Sequence, residues 1–175
     1  MEEPIDNQKD SFTGYHTKKS LIAYLDRKLN QEQTPQNYLS VIILDLDNFK
    51  GINDKYGHLV GDDALRFFTT IMNKMLQGSH FVARYGGDEF VVVMDRVKDE
   101  MDPIRFAEKF RVELEQTPFP LPKSDKELKF TSSIGVATSY DRSQTSREIL
   151  EMADKALYMA KKQGRNRVIN FSDLQ

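Results

Sequence analysis

The sequence predicts one α+β domain in which helices pack on a mostly antiparallel sheet. Apolar, strand-like runs and amphipathic helical segments mix along 175 residues, the size of a single domain. A hairpin signal, Gly86 to Glu89, separates two short apolar runs at 81–85 and 90–94. We therefore divide the chain into an N-terminal tail or linker, residues 1–10, and one domain, residues 11–175.

The first half of the chain predicts two helices around a buried strand. A helix is predicted over 18–30, where apolar residues recur every three or four positions. The run 39–44 is apolar and partly β-branched, which is typical of a buried strand. The next helix is predicted to begin at Asp62 or Asp63, after a turn, and to end before Gly78.

The second half predicts two more helices and two more strands. A helix is predicted over 102–115, since an Asp N-cap precedes a proline. A strand is predicted over 130–138. Thr145 and Glu148 have capping-box spacing and begin the last helix, which is followed by a final strand at 167–171.

Composition excludes several classes of function. The chain has 25 Lys and Arg, 27 Asp and Glu and a net charge of -2, so charge gives no support for bulk nucleic-acid or membrane binding. It has no cysteine and only three scattered histidines, which excludes thiolate chemistry and disfavours a histidine metal site. No apolar run approaches a membrane span, and the acidic N-terminus is unlike a signal peptide. We expect a cytoplasmic protein without membrane contact.

Two pairs of carboxylates are candidates for a metal site. Asp45 and Asp47 come at the end of a strongly apolar strand, an edge where ligands commonly bind. Asp88 and Glu89 follow two glycines at the tip of the predicted hairpin. Hard carboxylate oxygens suit Mg²⁺, which usually also binds substrate phosphates. The alternative is a solvated strand end and an ordinary polar turn.

Two further segments carry groups that could bind a nucleotide. Asn53 and Asp62 offer an amide and a carboxylate, and a carboxylate pairs well with the two donors on a guanine edge; alternatively, Asp62 caps a helix. Lys161 and Arg165 come at the end of the last helix. They suit phosphate oxygens, although cations there also complement the helix dipole.

Together these segments resemble the GGDEF diguanylate cyclases, from about residue 10 to residue 171. The signature itself is Arg-Tyr-Gly-Gly-Asp-Glu-Phe at 84–90. Three other blocks match in order: Leu-Asp-Leu-Asp-Asn-Phe-Lys-Gly-Ile-Asn-Asp at 44–54, Gly-His-x-x-Gly-Asp at 57–62, and Ala-Asp-Lys-Ala-Leu-Tyr-x-Ala-Lys-Lys-x-Gly-Arg-Asn-Arg-Val at 153–168. Each block alone is weak, but four in order are specific.

The resemblance implies a nucleotidyl-cyclase-like fold with a ferredoxin-like βαββαβ core, and roles for individual residues. The implied metal ligands are Asp45, the Leu46 carbonyl, Asp88 and Glu89. Glu89 is also the implied base for the 3′-hydroxyl. The implied guanine-reading residues are Asn53 and Asp62. The implied triphosphate site consists of backbone amides around Asn48, Phe49 and Lys50 together with Lys161 and Arg165.

The resemblance also implies a reaction and partners. The enzyme would join two GTP molecules into cyclic di-GMP with Mg²⁺ or Mn²⁺, as a homodimer, with a sensory domain outside this chain. The product-inhibition motif Arg-x-x-Asp is degenerate here, because Gln77 and His80 occupy its positions. Two alternatives remain: a catalytically silent, GTP-binding regulatory module, and a different nucleotidyltransferase on a related fold.

Overall fold

The central strand of the sheet is apolar on both of its faces, so helices cover the sheet on both sides. The computed structural model describes residues 7–31, 38–76 and 80–175. Strand β1 (Tyr38–Leu46) is buried at every position but the first. Ile42, Leu44 and Leu46 belong to one hydrophobic cluster, whereas the odd-numbered residues from 39 to 43 belong to another. This alternation follows from the two-residue period of a strand.

In the part of the chain that the structure describes, the sheet has five strands and is antiparallel except at one edge. The other strands are β2 (Phe81–Arg84), β3 (Glu89–Val97), β6 (Ser132–Ser139) and β7 (Val168–Asn170). Their order is β2-β3-β1-β6-β7, and β7 pairs parallel with β6. The predicted α+β class with a mostly antiparallel sheet is confirmed. A separate hairpin, β4 (Phe119–Pro120) and β5 (Glu127–Leu128), lies between the helix predicted over 102–115 and the strand predicted over 130–138, where the sequence predicts no strand.

Helices cover both faces of the sheet. Helices α1 (Lys18–Leu29) and α5 (Ser146–Lys162) pack on one face, and α3 (His58–Met75) and α4 (Asp102–Gln116) pack on the other. The short helix α2 (Phe49–Tyr56) follows β1 directly. A 3-10 helix, Phe171–Leu174, follows β7. The predicted capping box of α5 is present, with the Thr145 hydroxyl and the Glu148 carboxylate each accepting from the other's backbone.

The predicted start at Asp62 or Asp63 is wrong for the helix that the structure has as α3. Helix α3 begins at His58, and Asp62 lies within it. The reason is Gly57, whose φ of 88° lets one residue end α2 and begin α3. Position 61 inside α3 is glycine because a Cβ there would overlap with the amide oxygen of Asn53. A smaller correction applies to α4, whose N-cap is Met101, one residue before Asp102.

The N-terminal residues that the structure describes are bonded to the domain. The Gln8 carbonyl accepts from the Thr17 amide at 3.0 Å, and Lys9 forms an isolated bridge with His16. The division at residue 10 stays a prediction. Within the described residues, no helix combines the length and apolar character that crossing a bilayer requires.

Candidate active site

The pairing of β1 with β3 brings two predicted carboxylates to one face of the sheet. Asp45 lies directly opposite Glu89 in the antiparallel register. Asp45 and Glu89 are odd-numbered, like Ile43, Val91 and Val93, which pack in the cluster that α5 covers. Because side chains alternate along a strand, both acidic side chains lie on the same face as these residues. The two acidic side chains therefore meet beneath the C-terminal end of α5.

Lys161, in the last turn of α5, lies between these carboxylates. Its Nζ is 2.8 Å from Asp45 Oδ2 and 4.0 Å from Glu89 Oε1. The Asp45 side chain is only 9% exposed, whereas those of Glu89 and Lys161 are 29% and 35% exposed. Asp45 is thus the buried member of the cluster, and the other two open toward solvent.

The acidic cluster is electrostatically strained without a further cation. Burial raises the pKa of Asp45 to about 7, and the charges of Asp88 and Glu89 add to the rise against the opposing Lys161 contact. Burial also raises the pKa of Asp88 and that of Glu89. Carboxylates that resist ionisation in this way gain most from a nearby positive charge.

The residues fit a hard divalent cation in chemistry, although they do not form a closed cage. Within the described ranges, no three His, Cys, Asp or Glu side chains converge closely enough to hold a metal ion. The observation that supports this fit is the Lys161 ammonium, which lies between the Asp45 and Glu89 carboxylates and so shows that a positive charge at this place interacts with both. Carboxylate oxygens with open positions for phosphate are what Mg²⁺ prefers.

The signature hairpin holds Asp88 and Glu89 beside the end of β1. The Tyr85 amide donates to the Glu89 carbonyl at 2.8 Å, and the Leu46 amide donates to the Asp88 carbonyl at 3.2 Å. A Cβ on Gly86 would lie 2.9 Å from Glu89 Oε2, so the first glycine leaves room for that carboxylate. A Cβ on Gly87 would meet none of the described residues. Of the two glycines, only Gly86 is therefore needed to make room for a described side chain.

The carboxylates border an open cavity of about 480 Å³ at the beginning of α2. Asn48, in the left-handed region at φ 58°, turns the chain from β1 into α2, and the first amides of this helix come next. Such amides suit anionic oxygens. The predicted triphosphate and metal residues line this cavity together, with Asp47: Asp45, Leu46, Asn48, Phe49, Lys50, Asp88, Glu89, Lys161 and Arg165.

The two predicted guanine-reading residues lie elsewhere along α2 and α3. Asn53 and Asp62 are not among the residues that line the cavity. Asn53 packs against Gly61, next to Asp62, and its Oδ1 is buried with no hydrogen-bond partner among the described residues. A buried amide oxygen without a partner is unusual, which makes this position a candidate for ligand contact.

The sequence interpretation missed the role of Asp47. Its carboxylate accepts from the Ser133 hydroxyl at 2.6 Å, the Thr131 hydroxyl at 2.8 Å and the Asn166 amide at 3.1 Å. Through these three hydrogen bonds, Asp47 connects the end of β1 with the beginning of β6 and with the turn after α5. Its partners lie 84 to 119 residues away, so no local pattern could have found them.

Arg84 is a second residue with an unforeseen role. Its guanidinium contacts the Asp10 carboxylate at 3.3 Å and donates to the Gly87 carbonyl at 2.8 Å. The Arg84 amide also donates to the His16 carbonyl. Arg84 therefore joins the N-terminal residues to the hairpin that carries Asp88. Its place as the first residue of the signature was the available signal.

Of the two residues at the degenerate product-inhibition motif, the structure describes only His80. Gln77 lies outside the described residues. His80 stacks edge-on against Phe106 of α4 at 5.5 Å between ring centroids, and burial lowers its pKa.

Comparison with known proteins matches this geometry to one family. A family model described as "Diguanylate cyclase, GGDEF domain" matches residues 7–167. The response regulator PleD of Caulobacter vibrioides is 34% identical over 91% of this chain and 35% of its own length. Diguanylate cyclase DosC of Escherichia coli is 39% identical over 79% of this chain and 29% of its own length. The chain thus spans about a third of the length of these curated relatives.

A solved structure matches the whole fold. The GGDEF domain of DgcB from Caulobacter crescentus, in complex with c-di-GMP, superimposes with a TM-score of 0.88 at 29% identity. The match covers 97% of this chain and 99% of that one. The sequence relatives and the structural neighbour therefore agree on the same fold.

Proposed function

Because this chain belongs to the GGDEF diguanylate cyclase family, we propose that it joins two GTP molecules into cyclic di-GMP and releases pyrophosphate. The catalytic domain would span residues 11–175, after a tail or linker of residues 1–10. The single observation that carries the proposal is the acidic cluster of Asp45 and Glu89 around Lys161, on the edge of a cavity large enough for a triphosphate.

The triphosphate binds in that cavity. The amides around Asn48, Phe49 and Lys50 at the beginning of α2 donate to phosphate oxygens, and Lys161 and Arg165 supply positive charge from the end of α5. When phosphate arrives, the Lys161 ammonium exchanges part of its contact with Asp45 for phosphate oxygens.

The base is read between α2 and α3. Asn53 and Asp62 bond to the guanine edge, and the buried Asn53 oxygen that lacks a partner among the described residues supports this assignment. A carboxylate at position 62 accepts from the ring N–H and amino group of guanine, whereas adenine offers no such pair of donors. GTP is therefore preferred over ATP, and Asp62→Ser should weaken that preference.

The chemistry is displacement at an α-phosphorus. The 3′-oxygen of one GTP attacks the α-phosphorus of the other, the bond to pyrophosphate breaks, and Glu89 takes the hydroxyl proton. Burial raises the pKa of Glu89, and the charge of Asp88 adds to the rise, which makes Glu89 a stronger base than an exposed carboxylate. The same step with the roles of the two nucleotides exchanged closes the ring.

A divalent cation, Mg²⁺ or Mn²⁺, completes the site. Asp45, the Leu46 carbonyl, Asp88 and Glu89 would hold it. Bound there, such an ion would neutralise phosphate charge and lower the pKa of the attacking hydroxyl.

The product needs two half-sites, so two copies of this chain meet face to face. Each copy holds one GTP and presents its 3′-hydroxyl to the other's α-phosphate. Activity then rises more steeply than linearly with enzyme concentration, and a sensory domain outside this chain could control the pairing. We also propose no inhibition by product through residues 77–80; an inhibition constant that shifts when these residues are altered would contradict this.

Separation of the nucleotides after incubation with GTP and Mg²⁺ tests the proposal. Cyclic di-GMP with pyrophosphate is expected, most clearly at high protein concentration. Glu89→Gln should abolish turnover, with Glu127→Gln, on the exposed strand β5, as the matched control. Unchanged GTP with measurable affinity would instead favour a silent regulatory module.

A further inference from the structure

The turn that carries Arg165 has a backbone that few residues adopt. Gly164, Arg165 and Asn166 have φ values of 111°, 64° and 46°, three consecutive positive values. For a residue other than glycine this conformation costs roughly 1–2 kcal/mol, and it persists only where the surroundings fix it. The turn begins as the C-terminal end of α5, where the Arg165 amide donates to the Ala160 carbonyl at 3.0 Å.

Asn166 is the residue that the surroundings fix. Its amide donates to Asp47 at 3.1 Å, and its side chain uses both ends of the carboxamide. The Nδ2 group donates to Glu115 at 2.8 Å, and Oδ1 accepts from Arg111 at 3.0 Å. The backbone N–H, Oδ1 and Nδ2 of Asn166 are thus all hydrogen-bonded.

The two side-chain partners come from α4, the helix on the opposite face of the sheet from α5. Arg111 is 18% exposed and also pairs with Glu108 at 2.8 Å and Glu115 at 3.1 Å. None of these three residues lines the cavity that Arg165 borders. Helix α4 is therefore linked to the cavity through Asn166.

We propose that Asn166, held by Arg111 and Glu115 of α4, is a positioning residue that fixes the direction in which Arg165 enters the triphosphate cavity. This inference rests on the proposed function. Arg165 itself has a long side chain that is otherwise exposed, so its aim depends on the backbone that carries it. We call the side-chain bonds of Asn166 to Arg111 and Glu115 the clamp. Loss of the clamp leaves the Arg165 guanidinium present but lets it sample more directions, which weakens the binding of the outer phosphates.

The positioning role makes a prediction that a merely structural role does not. Removal of the clamp should weaken the binding of a guanosine triphosphate but spare that of GMP, because GMP shares the base and sugar and lacks the outer phosphates. Asn166→Gly is the sharpest variant, since glycine keeps the left-handed backbone and the amide bond to Asp47. Arg111→Met keeps the aliphatic stem and is the second variant, should the first fold poorly.

The experiment is a calorimetric titration of each protein with α,β-methylene-GTP and with GMP. We expect both variants to bind the triphosphate analogue about tenfold more weakly, as for one lost charge-assisted hydrogen bond. GMP affinity should change by less than about twofold. Arg105→Ala is the matched control, because Arg105 also lies on α4 but pairs with Asp99 and Asp102.

A double-mutant cycle with Arg165→Ala completes the test. If Asn166 acts through Arg165, the variant should have no further effect on triphosphate binding once that guanidinium is gone. Equal weakening of both ligands, unchanged affinity, or full additivity with Arg165→Ala would overturn the inference. If the wild-type protein binds neither ligand, the proposed function fails as well; if it binds and responds to Arg165→Ala alone, only the clamp fails.

Discussion

Replacing Asp45 by asparagine should remove a pH-dependent loss of stability from the metal-free protein. Asp45 is buried, and its pKa is raised from 3.8 to about 7 in the folded state. Between these values the folded protein binds the proton and the unfolded chain does not. The free energy of unfolding therefore falls as pH rises from about 4 to about 7, and the loss is complete above the folded pKa.

The size of this effect follows from the shift. A difference of about three pKa units, at about 1.4 kcal/mol each, corresponds to about 4 kcal/mol of stability lost by pH 8. The side chain is only 9% exposed, so solvent screens little of it. An asparagine side chain cannot ionise. The free energy of unfolding of Asp45→Asn, relative to that of the wild type, should therefore rise by about this amount between pH 4 and pH 8.

Urea denaturation in the presence of EDTA at several pH values measures the effect. The quantity of interest is the difference between the two proteins, because the shifts of His16 and His80, which do not interact with Asp45, then cancel. Asp63→Asn, on the exposed side of α3, is the matched control and should show no such trend. Identical pH profiles for wild type and Asp45→Asn would refute the reasoning.

Three further substitutions probe the fold that carries the site. Asp95→Ala should lower the free energy of unfolding by about 3 kcal/mol, because it removes the carboxylate that pairs with the buried cations of Lys28 and Arg142 at 2.7 and 2.9 Å. Gly135→Ala should cost about 3 kcal/mol or more, because its Cβ would overlap with the backbone of α5. Thr145→Ala should cost about 1 kcal/mol through loss of the capping box. Chemical denaturation measures all three.

Each of these has its own contrary result. Asp95→Ala with wild-type stability would mean that the buried ion pairs contribute nothing. Gly135→Ala with an unchanged melting temperature would mean that α5 does not pack as closely on β6 as the structure has it. A Thr145→Ala variant as stable as wild type would mean that the first turn of α5 is held by its packing alone.

Local patterns predicted most of the helices and strands and the acidic residues of the site, because these depend on short-range sequence, but they did not predict α2 or the β4–β5 hairpin. The apolar run of β1 and the hairpin signal placed Asp45 and Glu89 at the ends of strands, and the register then sets them opposite each other. The start of α3 was beyond reach, because Gly57 ends one helix and begins another without an intervening loop. A single glycine in a sequence does not distinguish that geometry from a turn.

Contacts between distant segments explain the rest. Asn166 bonds to Arg111 and Glu115 of α4 and to Asp47, the residue after β1, and these contacts form between residues 51 to 119 positions apart. Lys161 was predicted to bind phosphate, but its 2.8 Å contact with Asp45 depends on how α5 packs against β1. Such pairings emerge only when the sheet is assembled.

The most direct test of the account is to locate a divalent cation in crystals grown with α,β-methylene-GTP and Mn²⁺. Anomalous scattering marks the metal without reference to the reaction. The account predicts a peak within bonding distance of the Asp45, Asp88 and Glu89 carboxylates, with Lys161 turned toward phosphate oxygens. A metal bound elsewhere, or Lys161 still paired with Asp45 beside an ordered nucleotide, would contradict it.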